Sequence, residues 1–142
     1  MSGFHPKNLI VPIDFSDLAI VALDKAVEIA GDVGKVHAMH VLPDMGVVDP
    51  VAIYENISNA SRIEAIENVI RERFNDPKYA KLIVHAAVGD PGHEVADYAK
   101  EEKADLIVIS SHGYGFLKHL LLGSVAERIV RLAHCPVLVL RS

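Results

Sequence analysis

Apolar and polar positions along the chain resolve into five short hydrophobic runs separated by four stretches of helical period. The runs "NLIVPIDF" (8–15), "KVHAMHVL" (35–42), "KLIVHAAV" (81–88), "DLIVIS" (105–110) and "PVLVL" (136–140) have the length and near-continuous apolar character of strands covered on both faces. After the first run Ser16 stands as an N-cap, and Ala19, Leu23, Ala26, Val27 and Ala30 trace one face of a helix that Gly31 and Gly34 end. The spacing of Ile63, Ile66, Ile70 and Phe74 predicts a second, long helix over roughly 51–74. "GDPG" (89–92) turns the chain into a third helix, "HEVADYAKEEKA", and Val125, Ile129 and Leu132 give the apolar stripe of a fourth.

Strands alternating with helices argue for an α/β fold, a three-layer α/β/α sandwich around a parallel sheet, in one domain over 1–142. One local conflict stands out. Pro12 lies in the first run, where a missing N–H costs a ladder bond, so it belongs near that strand's carboxyl end, where pairing stops.

Composition narrows the function. The net charge is −5 and the 14 basic residues are scattered, which gives no footprint for nucleic acid or an anionic membrane. No apolar run approaches a membrane span, and the first residues lack the pattern of a secretory leader. The single cysteine, Cys135, has no partner for an internal disulfide and reads as a small apolar residue; with the leaderless start it points to the cytoplasm. The eight histidines lack metal-ligand spacing: His37 and His40 fall on opposite faces of one strand, and the others are isolated.

In a sheet of this class ligands bind beyond the carboxyl ends of the strands, at the point where strand order reverses. That restricts candidates to "PIDFS", "VLPD", "VGDPG" and the loop "SSHGYGFLKHLLLGS" (110–124). No Walker loop, three-glycine dinucleotide turn or Gly-x-Ser-x-Gly elbow occurs at any of them. The last loop is longer than usual for a strand-to-helix link. Gly113 and Gly115 let backbone N–H groups approach a ligand closely, and Gly123 and Ser124 open a helix whose first amides, at Val125 and Ala126, face outward at the positive end of its dipole. Such a loop suits a polyphosphate, and equally suits an ordinary long connection. Asp14 serves either a ligand or the cap of the first helix with Ser16. His112, Lys118 and His119 read as loop packing or a solvated rim, and Tyr54 as a lid or a contact between copies.

The chain resembles the universal stress protein family over essentially its whole length, in "NLIVPIDFSDLA", "MHVL", "VGDPGHEVADYAKEEKADLIVISSHG" and "LLLGSVAERIVRLAHCPVLVLR". The ATP-binding branch of that family carries Gly-x-x-Gly-x9-Gly-Ser/Thr. Gly113, Gly123 and Ser124 match it, and Ser110 replaces the first glycine. A serine there costs about 1 kcal/mol if the backbone needs a positive φ, and little otherwise. The resemblance implies a five-stranded sheet in the order 3-2-1-4-5 with four helices, of the adenine nucleotide alpha hydrolase-like type. It also implies ATP as ligand, with Mg2+ as its companion ion. Pro12 would flank the base and Val41 contact it; Asp14 would lie near the ribose or a phosphate-bound metal. Ile109 and Ser110 would border the ribose, and Gly113, Gly123, Ser124, Val125 and Ala126 the phosphates.

Phosphoryl transfer needs a base, a positioned acceptor and cations for the developing charge, and no arginine or second carboxylate has an evident place at the strand ends. The expectation is a nucleotide-binding regulatory protein of stress response, not an enzyme, with ATP hydrolysis slow or absent. The alternatives are an ATP-independent dimeric interaction module and a slow ATPase. The last strand is apolar, uncharged and two residues from the chain's end, an edge that invites a second copy, so a homodimer through 136–141 is expected.

Overall fold

The computed structural model describes residues 4–44, 58–111 and 122–141. They form strands β1 (Asn8–Pro12), β2 (Lys35–Leu42), β3 (Ile83–Val88), β4 (Leu106–Ser110) and β5 (Val137–Leu140), and helices α1 (Asp17–Ala30), α2 (Asn59–Arg73), α3 (Pro91–Glu101) and α4 (Ser124–Leu132). The strands make one sheet in the order β3-β2-β1-β4-β5, every neighbouring pair parallel, as expected.

Side chains alternate across this sheet and build two cores. Leu9, Val11, Ala38, Val84, Leu106 and Val108 face α1 and α2, which contribute Leu23, Ala26 and Ile70. Ile10, Met39, Ile107 and Ile109 face α3 and α4, which contribute Val95, Ala99, Ala126 and Ile129. Burial of both strand faces is why the runs read as continuous apolar stretches. Among the described residues, no helix is long and apolar enough to cross a membrane.

Local signals set most boundaries. Ser16 caps α1, its Oγ accepting from the Ala19 N–H, and Ser58 and Asp90 cap α2 and α3 in the same way. Two details differ from the sequence pattern. The third helix begins at Pro91, inside the expected turn, because Asp90 supplies the cap and a proline at the first helical position loses no hydrogen bond. In α4 the buried stripe runs through Ala126 and Ile129, while Val125 is 40% exposed. Ile129 is buried as expected and Leu132 is half-buried, so the departure is confined to the first turn, where Ala126 takes the place of Val125 in the core. The part of the expected second helix over 51–57 is outside the described residues.

Candidate functional site

Strand order reverses between β1 and β4, and there the sheet opens. Pairing of β1 with β4 covers Leu9–Leu106 and Ile10–Ile107, whereas β1 continues along β2 to Pro12–Met39, and β4 along β5 to Ser110–Leu140. The two central strands therefore part before either ends. Pro12 fits this opening. The Ile13 N–H donates to Met39 O on β2 (2.8 Å), so the N–H that Pro12 lacks would have pointed toward β4, where the ladder has stopped. On the other side, Ser111 N–H donates to Leu140 O on β5, which turns the peptide groups of Ser110 toward β1 and the opening.

Asp14 and Ser16 follow Pro12 at this edge. Asp14 Oδ1 accepts from the Ser16 N–H (3.0 Å) and the Ser16 Oγ–H (2.6 Å), while Ser16 Oγ in turn accepts from Ala19 N–H (3.2 Å). Ser16 is thus the cap, and Asp14 fixes the rotamer of the cap. Between them Phe15 sits at φ 67°, in the left-handed region that bulky residues avoid. Its ring packs 5.0 Å from that of His40, whose Nδ1 donates to Ile13 O (2.6 Å), and the Arg73 guanidinium lies over it at 5.7 Å. The packing of its ring holds Phe15 in this sparsely populated conformation, in the turn that carries Asp14. Nothing in the pattern of the sequence signals Phe15.

Across the opening, α4 starts on Gly123. The Gly123 N–H donates to Ser111 O (2.7 Å), closing the base of the loop, and Gly123 O accepts from Glu127 N–H (2.9 Å) to begin the helix. Side-chain oxygens cap α1, α2 and α3, whereas α4 has a glycine in that place, so its first turn presents backbone without a capping side chain. This is the condition under which a helix start accepts an external anion. Ser124 is exposed at its first position, and Ala126 is packed in the core beneath.

The structure accordingly brings Pro12, Asp14, Ser110, Gly123, Ser124, Val125 and Ala126 to the carboxyl edge around the β1–β4 opening. Val41 is half-buried next to the core at the end of β2, and Ile109 is buried, so Ile109 can offer a ligand only its backbone. Gly113, Gly115, His112, Lys118, His119 and Tyr54 lie outside the described residues. Ser110 answers the glycine question: it is a strand residue, and the only non-glycine residues at positive φ among those described are Phe15 and Lys103. Serine at this place carries no backbone strain.

Among the described residues no three His, Cys, Asp or Glu side chains gather in a way that could hold a metal. Asp14 is a described carboxylate at this edge, and its Oδ1 is taken by Ser16. Cys135 is half-buried, and burial pushes its thiol pKa up, so it is a poor nucleophile. A groove of about 420 Å3 between the end of α1 and residues 77–82 opens at the opposite, amino edge of the sheet and shares no residue with the site.

A doubly wound parallel domain with its crevice at the β1–β4 switch, facing a glycine-started helix, defines a class of small nucleotide-fold proteins. The model of the universal stress protein family matches residues 6–141, and the chain belongs to that family. Universal stress protein YxiE of Bacillus subtilis is 33% identical, with 95% of this chain and 99% of that one covered. The structure of protein MJ0577 of Methanocaldococcus jannaschii superposes with a TM-score of 0.79 at 28% identity, covering 99% of this chain and 98% of that one. A universal stress protein crystallised in complex with cAMP superposes at 0.66 with 26% identity, covering 96% and 97%.

Proposed function

We propose that this protein binds an adenine nucleotide, with ATP–Mg as the preferred form, in the crevice between β1 and β4, and acts as a regulatory protein of stress response. The observation that carries the reading is the pairing of an opened central ladder with a helix that starts on a glycine. A base and sugar would enter between Pro12, Val41 and Ser110, and the phosphates would meet the amides of Ser124, Val125 and Ala126. The relative crystallised with cAMP, an adenine nucleotide, supports the ligand class. With Arg73 engaged over the Phe15 ring and Asp14 holding the Ser16 cap, hydrolysis of bound ATP would be slow or absent.

A homodimer through β5 belongs to the same proposal. The two sheet edges differ: on β3 the outward Ala86 N–H donates to Glu67 Oε2 of α2 (3.1 Å), so a side chain covers that edge, whereas β5 is half-buried along its whole length. Antiparallel pairing of β5 with its copy across a two-fold axis would close it.

The test is calorimetric titration of ATP–Mg into wild type and Gly123→Val, together with analysis of nucleotide released on denaturing the purified protein. The expected outcome is micromolar binding by wild type and its loss in the variant, whose side chain stands where the phosphates would lie. No heat, no thermal shift and no released nucleotide would favour an ATP-independent interaction module. Phosphate release abolished by Asp14→Ala would make it a slow ATPase instead.

A further inference from the structure

Between α3 and α4 lies a contact that neither helix needs for its own formation. Asp90, the cap of α3, uses one carboxylate oxygen for the His93 N–H (3.0 Å) and the His93 ring Nδ1 (2.7 Å); its other oxygen accepts from the Arg128 guanidinium. Arg128 stands one turn beyond Ser124 in α4. Its aliphatic stem crosses the backbone of Gly92: a Cβ added there would lie 2.6 Å from Arg128 Cγ and Cδ and 2.8 Å from its Cβ. Glycine inside the first turn of a helix is unfavourable, and here it makes room for that stem. The next link runs to β2, because Gly89 N–H donates to Leu42 O (2.9 Å), one residue from Val41.

We propose that Asp90, Gly92 and Arg128 form a positioning clamp that holds the amino end of α4 at a fixed distance from the end of β2. This rests on the nucleotide reading above and deepens it: the clamp sets the spacing between the base side of the crevice, at Val41, and its phosphate side, at α4. The helix needs such a hold. It is nine residues long, with only Ala126 and Ile129 fully in the core. The Arg128–Asp90 pair is partly exposed on both sides (41% and 36%), so its yield in global stability is small. Its consequence is geometric: one guanidinium nitrogen meets one oxygen of the capping carboxylate while the stem lies across Gly92, and the two contacts together fix where the side chain runs.

The experiment compares wild type with Gly92→Ala, Arg128→Met and Arg128→Lys by amide exchange of the ligand-free protein and by ATP–Mg titration. Gly92→Ala keeps both charges and raises helix propensity, yet its methyl group displaces the stem, so it separates positioning from charge, while the Arg128 variants, which add no bulk at the contact, separate positioning from folding. Expected are faster exchange at the Gly123 and Glu127 amides, roughly three- to tenfold weaker ATP binding in Gly92→Ala and Arg128→Met, partial rescue in Arg128→Lys, and a nearly unchanged melting temperature in the Arg128 variants. Unchanged exchange at those amides, or faster exchange with affinity within about twofold of wild type, overturns the clamp. If wild type binds no nucleotide, the reading of the crevice fails, and exchange at Gly123 and Glu127 still decides whether the clamp holds α4.

Discussion

Ser110 and Phe15 show how single residues depart from expectation for reasons of backbone geometry. Serine in place of glycine strains the backbone only where φ is positive, and Ser110 is an ordinary strand residue paired with Leu140. Restoring the family glycine should therefore not improve binding. Ser110→Gly is expected to lower stability by roughly 0.5–1 kcal/mol, the entropic cost of glycine in a strand, and to leave ATP affinity within about twofold. Thermal melts and calorimetry check both. A tenfold gain in affinity would mean that the serine side chain obstructs the ligand. Phe15 is the reverse case, a bulky residue in the left-handed region whose cost is offset by its packing against His40, Arg73 and the α1–α2 core.

Elements carry the contrast between closed and open ends. Three helices start under a side-chain oxygen and the fourth under a glycine, which leaves α4 as the helix suited to an external anion. The two edge strands divide in the same way: Glu67 lies over β3, and among the described residues no side chain makes an equivalent bond to β5, a run of four residues. Hydrogen bonds from Ile107 to Pro136 O and from Ser111 to Leu140 O turn the peptide groups of Leu138 inward and those of Val139 outward. Val139→Pro should then remove an outward donor without breaking the β4–β5 ladder, as prolines on sheet edges do. The expected result by light scattering at tens of micromolar, with the far-ultraviolet spectrum unchanged, is a dimeric mass for wild type and a monomeric one for the variant. A monomeric wild type would count against the dimer.

At the scale of the molecule, a polar chain that is buried at His37 and Tyr98 and reaches the surface at Asn8 ties sheet to helix. Asn8 donates through Nδ2 to Glu102 O (2.6 Å), which turns its Oδ1 toward His37 Nε2 (2.7 Å). His37 must therefore donate from Nε2, and its Nδ1 (2.7 Å) accepts from the Tyr98 hydroxyl. Tyr98 is stacked on His85 at 4.1 Å, and burial pushes its hydroxyl pKa up to about 12. Burial is the largest influence on His37 and lowers its pKa below 6.5; nearby Glu102 opposes the shift, while His85 and Lys35 add to it. The unfolded chain takes up a proton at this histidine near pH 6.5 and the folded protein only at lower pH. The neutral form thus stabilises the fold fully above about pH 6.5, and that contribution is lost as the pH falls through the lower, folded value. Each unit between the two values corresponds to about 1.4 kcal/mol. Urea midpoints between pH 7.5 and 5 should fall for wild type and fall less for His37→Gln, which cannot titrate; equal slopes would refute this.

The apolar pattern determined the class of fold, because a strand buried on both faces can be written in few other ways, and the cap at Ser16 was legible as short-range chemistry, whereas Asp90 read only as part of a turn. Pro12 even indicated where the first ladder ends. Long-range geometry was not legible: which strand Pro12's missing donor would have faced, that the β1–β4 ladder opens early, that Phe15 is left-handed, and that Arg128 lies across Gly92 to reach Asp90, 38 residues away. The outward turn of Val125 belongs with these, since period alone does not say which of two adjacent apolar residues, Val125 or Ala126, the sheet takes into the core. Periodicity and capping act within a turn or two of chain, whereas ladder register and helix placement depend on surfaces that meet only after the chain has packed.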